Sequence, residues 1–384
     1  MNGHGSTRRT FLKTSVAATG GLVIAFHVPG AKRLAASGLT PAGGFAPNAF
    51  LRIGEDDTVT VLLAHSEMGQ GIWTTLPMLI AEELDCDWSS IRVEHAPAAQ
   101  AYAHTAFGIQ ATGGSTTTWS EFDRYRQAGA AARSMLVQAA AQEVGVPVSE
   151  CRTGNGVVTA SGRSLRYGEL TAIAATLTPP ESVPLRDPSE WSLIGTPTRR
   201  LDTPEKITGR AKFGIDVQLE GMLTAVVARA PSFGATLKSF DASAARAVPG
   251  VRHVVQVPSG VAVVADHSWA AIKGREILDI EWTSGPTSGV DSEELLAEWA
   301  DLTRSPGVTA AERGDTADAL AGAEQTIESL FFFPYLAHAA MEPLNCAVRI
   351  GPDGCDIWTG TQFQGPDQMA AAAITGLDLS LIHI

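Results

Sequence analysis

Cysteine, positive charge and long apolar runs are all scarce in this 384-residue chain. Only four cysteines occur, Cys86, Cys151, Cys346 and Cys355, far apart and without a C-x-x-C pair. That spacing excludes the ligand runs of an iron–sulfur cluster or a structural zinc. It leaves room for one disulfide, Cys346–Cys355 across a hairpin, or for buried thiols. Basic residues number 28 against 41 acidic ones, a net charge of −13. No basic stripe runs through the body of the chain, which argues against nucleic acid as a partner. The apolar run Val16 to Phe26 has 11 residues, well short of the roughly 20 that a membrane-spanning helix needs. G-x-S-x-G, H-E-x-x-H and G-x-x-x-x-G-K-S/T are missing too, so the familiar serine hydrolases, zinc proteases and phosphate-loop enzymes are set aside.

The start of the chain differs from the rest in charge. The first forty residues carry Arg8, Arg9, Lys13, Lys32 and Arg33 and no acid. Paired arginines before a weakly apolar, Gly/Ala-rich run resemble a twin-arginine (Tat) export signal. Residues 1–40 are therefore expected to address the chain to the periplasm or the periplasmic face of the inner membrane. Beyond them, 45% apolar and 18% charged residues describe an ordinary globular protein long enough for two or three domains.

The central stretch is Ala64 to Thr75 (AHSEMGQGIWTT). A strand, Thr58–Leu63, precedes it, and apolar Leu76, Leu79, Ile80 and Leu84 predict a helix after it, with Glu82, Glu83 and Asp85 on the opposite face. Glycines at Gly69 and Gly71 let backbone approach a ligand, and the amides at the helix start would favour an anion or an acceptor-rich ring edge. Gln70 between them can donate and accept at once. Two more polar loops share this character: Thr112-Gly113-Gly114-Ser115-Thr116, ahead of an Ala-rich helix over about 120–144, and Thr361-Gln362 at a strand end. Such loops suit a large hydrogen-bonding cofactor that brings its own reactive atom. His338 and Glu342 are four apart, but Pro343 argues against a helix that could hold a metal; the pair is expected to pin a buried turn. Thr178 through Pro188 reads as a proline-spaced linker, and the strands between Gly209 and Trp282 as a small α+β domain.

Five separated segments occur in order: Glu67–Gly71 (EMGQG), Ala81–Leu84 (AEEL), Lys212–Val217 (KFGIDV), His338–Cys346, and Trp358–Gln362. Together they resemble the molybdenum hydroxylases of the xanthine dehydrogenase/aldehyde oxidase family. The match is to the molybdopterin-binding large subunit in its isoquinoline 1-oxidoreductase branch, where the EMGQG loop precedes the small domain. The resemblance implies a multidomain α+β fold. Its parts would be an N-terminal molybdopterin-binding part at 41–197, an α/β hammerhead domain at 205–285, and the first part of a following molybdopterin-binding domain at 290–384. It implies that Gly69, Gln70 and Gly71 contact the pterin dithiolene and that Thr112, Gly113, Gly114, Ser115 and Thr116 hold the cofactor. Gln362 matches the glutamine whose amide approaches a molybdenum oxygen. The cofactor would be molybdopterin cytosine dinucleotide with its molybdenum, held by the cofactor's sulfurs; hence no protein ligand cluster, flavin or iron–sulfur motif is expected.

The implied reaction hydroxylates an aldehyde or N-heterocyclic carbon of a small-molecule substrate with water-derived oxygen. Electrons would pass to a separate [2Fe–2S] small subunit and onward to a membrane cytochrome c. Two family features are not found, a G-G-G-F-G-G-K-type loop after Gln362 and a late G-x-G-E carrying the general-base glutamate. The chain thus reads as an N-terminal half, inactive alone. The rival expectation is a catalytically incompetent exported fragment or assembly module.

Overall fold

The computed structural model describes residues 21–25, 49–180 and 182–384. Apart from the backbone of 21–25, the export signal expected at 1–40 lies outside the described residues. The chain mixes helices and sheets in two compact units, one of residues 1–217 with 340–384, the other of 218–339. The α+β expectation holds.

The first unit opens on a four-stranded sheet of β1 (Gly21–Ala25), β2 (Ala49–Gly54), β3 (Val59–Leu63) and β4 (Ile91–His95), in that order. β3 pairs antiparallel with β2 and parallel with β4, so α1 (Ile72–Leu84) is the crossover that a parallel pair requires. Val59, Val61 and Leu63 alternate into the core, where Phe50, Leu76, Ile80 and Leu84 meet them. α2 (Thr117–Val144) crosses α1 closely: a Cβ on Gly129 would stand 2.5 Å from the Ile80 carbonyl oxygen. It ends at Gly145 in the left-handed region, whose N–H returns to Ala141 O, as the sequence Gly145-Val146-Pro147 predicts for a helix stop. A small meander of β5 (Arg152–Gly154), β6 (Val157–Ala160) and β7 (Arg163–Arg166) follows, then α3 (Tyr167–Ala174) and, further on, α4 (Thr203–Ile207).

Two expectations are corrected here. Glu82 and Glu83 do not face solvent; both are buried. The end of the stretch read as a proline-spaced linker and the residues just after it dock on them. Ser192, Leu193 and Ile194 donate backbone N–H to Glu82; Arg186 N and the Arg126 guanidinium donate to Glu83. A carboxylate that collects this many donors is tolerated on the buried side of a helix.

In the second unit β8 (Thr224–Ala228), β11 (Gly260–Ala265) and β10 (Val251–Val257) form an antiparallel sheet, and β9 (Leu237–Asp241) pairs with β12 (Asp279–Trp282). α5 (Ser243–Arg246) and α6 (Ser268–Glu276) supply Ala245, Ala270 and Ala271 to small cores with Val261, Val263 and Ala265. The acidic stretch Asp291 to Asp301, which reads in sequence as a connector, carries α7 (Ser292–Leu302), capped by Asp291, and α8 (Thr316–Ala321) follows. His338 is exposed in this unit and pins no buried turn. Glu342, in the first unit, does accept from Ile215 N and Asn345 Nδ2, but the turn it holds is largely exposed rather than buried.

The first unit closes with the hairpin β13 (Cys346–Gly351) and β14 (Gly354–Thr359), α9 (Gln364–Thr375), and β15 (Ile382–His383) parallel to β14. The register opposes Cys346 to Thr359 and Cys355 to Ile350. The two cysteines are thus four rungs apart, roughly 13 Å at strand rise, too far for a disulfide. All four cysteines are free thiols.

Candidate functional site

β3 ends by delivering His65, Ser66 and Glu67 into the EMGQG loop. Gly69 (φ +104°) and Gly71 (φ +96°) take backbone conformations that L side chains rarely adopt, and no atom stands within 4 Å of where their Cβ atoms would be. Gln70 folds back on its own loop: its Oε1 accepts from Met68 N at 2.7 Å and its Nε2 donates to Ser66 O at 2.8 Å.

Most of the amides at the helix start expected to be open for a ligand are taken; among the described residues, from Gly69 to Thr75, all but those of Gln70 and Ile72 are bonded. Glu67 accepts N–H from Gly69 (2.8 Å), Gly71 (3.2 Å) and Trp73 (2.8 Å), and Arg200 Nη2 at 3.0 Å. Burial acts to raise the Glu67 pKa, but these amides and Arg200 outweigh it and leave it below the ordinary value. Arg200 also donates to Gly69 O and grips Asp202, which Lys206 joins. Burial pushes Asp202 up, yet Arg200 and Lys206 bring its pKa down to about 2.

Both carboxyls are depressed, so their contributions are complete above the unfolded values near 4 and vanish as pH falls through the folded ones. Asp202 alone accounts for about 2 kcal/mol. We therefore expect the thermal midpoint to drop between about pH 4 and pH 2, and Asp202→Asn to flatten that drop. An equally steep drop in the variant would count against the assignment.

The second and third loops meet directly. Thr112 N donates to Gln362 O, and Gln362 Nε2 donates to Thr112 O, both at 2.8 Å. Ser66 joins them: its N–H donates to Thr112 Oγ1 (2.9 Å), its hydroxyl to Thr361 O (2.6 Å), and Gln364 Nε2 donates to it. Gly113, Gly114 and Ser115 are half-buried or exposed, with positive φ at Gly114 (+63°) and Ser115 (+57°). Among the described residues their three N–H groups have no acceptor, and a Cβ on Gly113 would meet nothing within 4 Å. Successive free amides of this kind form a concave donor surface at the start of α2. Thr116 closes the loop by donating its hydroxyl to Gly113 O at 2.7 Å.

All the predicted site residues lie in the first unit. Gln362 and Thr112 are in direct contact, and Gln70 is joined to Thr112 through Ser66. Sequence reasoning missed Ser66, Gln364, Arg200 and the buried pair His65–Glu121, and it gave Glu67 no role of its own. One signal was readable: a carboxylate two residues before Gly69 is placed to cap the loop amides. The arrangement offers donors and neutral carboxamides rather than an acid–base pair. Among the described residues no group of three His, Cys, Asp or Glu side chains could hold a metal.

A family model described as molybdopterin cofactor-binding domain matches residues 16–217, more than half of the chain. The chain belongs to this family, that of the molybdenum hydroxylase large subunits. Isoquinoline 1-oxidoreductase subunit beta of Brevundimonas diminuta is 35% identical over 400 residues, covering 91% of this chain and 51% of that protein. The membrane-bound aldehyde dehydrogenase (pyrroloquinoline-quinone) of Gluconacetobacter polyoxogenes is 31% identical over 378 residues, covering 93% and 48%. The chain spans about half the length of these curated relatives. Quinoline 2-oxidoreductase from Pseudomonas putida 86 superimposes with a TM-score of 0.36 at 18% identity, over 49% of this chain and 29% of that one.

The residues present fit a molybdopterin. Its pterin and phosphate edges are rich in acceptors, and the Gly113–Ser115 amides are free donors beside open glycine faces. Gln364 Oε1 is buried with no partner among the described residues.

Proposed function

We propose that this chain forms one wall of a molybdopterin site in a molybdenum-dependent oxidoreductase subunit acting on an aldehyde or an N-heterocyclic carbon. What carries the reading is the direct joining of Ser66, Thr112 and Thr361–Gln364, three loops distant in sequence, around the free Gly113–Ser115 amides. When bound, the molybdenum centre supplies the two-electron chemistry: a C–H carbon and water become C–OH, with two electrons and two protons released. In this chain, Gly113, Gly114 and Ser115 would donate to the cofactor. Gln362 would offer its remaining amide hydrogen towards the metal's ligands, adding no net charge. Gln70 would keep the EMGQG loop in its open-faced shape.

The finer reading gives the cofactor as molybdopterin cytosine dinucleotide, the 205–285 stretch as an α/β hammerhead domain, and the 290–384 stretch as part of a further molybdopterin-binding domain. Electrons would leave through a [2Fe–2S] small subunit towards a membrane cytochrome c, on the periplasmic side after Tat export. The order of the five sequence segments and the twin arginines support it.

The test is metal and nucleotide analysis of the folded chain purified from a host that makes the cofactor. About one molybdenum per chain with a released cytidine nucleotide is expected. A folded, molybdenum-free protein contradicts the site. Gln70→Ala, at an exposed loop tip, is expected to change stability by less than about 1 kcal/mol while lowering molybdenum content severalfold. Full metal content in that variant would remove Gln70 from the site.

A further inference from the structure

Behind the Gly113–Ser115 amides lies a buried polar cluster that the proposed chemistry does not use. His65 is 1% exposed and Glu121, on α2, is fully buried. His65 Nε2 stands 3.2 Å from Glu121 Oε1. Its other nitrogen, Nδ1, lies 3.4 Å from the hydroxyl of Thr112 and 3.3 Å from that of Thr117. These two threonines are the residues on either side of the Gly113–Thr116 turn.

Glu121 is itself held by the Ser120 hydroxyl at 3.1 Å and by Arg124, whose guanidinium also donates to Ala101 O and Ala103 O. A carboxylate fixed in this way accepts a hydrogen bond from Nε2–H and so holds the ring's proton there, with Nδ1 left as an acceptor. Thr112 Oγ1 already accepts Ser66 N–H; its own hydrogen is free to go to Nδ1. Both hydroxyls therefore converge on one imidazole lone pair, and the two ends of the turn are tied to a single buried atom. A second buried histidine works on the same turn: His104 Nδ1 accepts from Ala106 N and Phe107 N, so its Nε2–H donates to Thr116 Oγ1 at 2.7 Å.

We propose that His65, its tautomer set by Glu121, is a positioning residue that clamps both ends of the Gly113–Thr116 turn and so presents the turn's amides to the cofactor. The proposal rests on the molybdopterin reading of the site. A turn held at both ends loses little further freedom when a ligand arrives, which is how preorganisation raises affinity.

The full chain is compared as wild type, His65→Leu, which removes both nitrogens, His65→Asn, which returns an acceptor near the Nδ1 position, and His65→Gln, which returns a donor near Nε2 towards Glu121. In cofactor-free protein, amide exchange at Ser66, Thr112 and Thr116 should quicken about tenfold or more in His65→Leu, with the α2 core unchanged. His65→Asn should return it towards wild type more fully than His65→Gln. Molybdenum content should follow the same order. A purely structural role would favour His65→Gln, which keeps the buried Glu121 partnered, and would quicken exchange throughout the unit; either result overturns the proposal. Should His65→Leu not fold, the imidazole nitrogen chemical shifts of the wild type decide: a lone Nε2–H supports the clamp, a proton on Nδ1 contradicts it. Wild type without molybdenum would refute the cofactor reading alone, because the exchange experiment is read on cofactor-free protein.

Discussion

Replacing Glu83 by alanine is expected to destabilise the first unit by about 3–5 kcal/mol. Its side chain is fully buried on α1, accepting Arg126 Nε at 2.9 Å and Arg186 N at 3.0 Å, with Arg126 Nη2 at 2.8 Å in an ion pair. The Arg126 side chain is only 9% exposed, so removing the carboxylate strands a buried cation as well as a backbone N–H. Glu83→Gln keeps the volume and an acceptor and should cost less. Equilibrium urea unfolding measures both, and a loss below about 1 kcal/mol for alanine would show that the 186–194 strap does not depend on this carboxylate.

Glu67→Ala is expected to act on binding more than on folding. The carboxylate organises the EMGQG loop from inside, and its removal frees the amides of Gly69, Gly71 and Trp73 and leaves Arg200 with Asp202 and Gly69 O. The loop's present shape would then be one conformer among several, and apparent affinity falls with the fraction that remains competent. Molybdenum content at limiting cofactor should drop by roughly 10-fold to 100-fold, each tenfold step corresponding to 1.4 kcal/mol. Glu67→Gln, which retains one acceptor, should fall between. Unchanged content in Glu67→Ala would mean that the loop does not touch the cofactor.

Much of the first unit was legible because its signals are local. Alternation in Val59–Leu63, the helical spacing of Leu76, Leu79, Ile80 and Leu84, and the Gly145 stop each act within a few residues. Among the elements missed, α3 has only eight residues, and α7, although Leu295, Trp299 and Leu302 recur at helical spacing, was passed over as an acidic connector. The burial of Glu82 and Glu83 was out of reach. Helical periodicity assigns carboxylates to the wet face, whereas their donors come from residues about a hundred positions further on.

The site divided in the same way. Gln70, Thr112–Thr116 and Gln362 could be picked out by type and by resemblance, but the Thr112–Gln362 pairing joins residues 250 positions apart. The inward turn of Glu67 onto the Gly69, Gly71 and Trp73 amides closed much of the helix start expected to be open, and the unbroken run of free donors is Gly113–Ser115 instead. A pattern of residue types cannot say which of two neighbouring sets of amides the chain uses for itself.

The central claim is that the Gly113–Ser115 amides, held between the Ser66 and Gln362 loops, are the donors to a molybdopterin. Amide hydrogen exchange at these three positions, compared between molybdenum-loaded and cofactor-free chain, tests it most directly. Protection of all three on loading, by about tenfold or more, is the predicted result. Equal exchange in the two states, with molybdenum present in one, would contradict it.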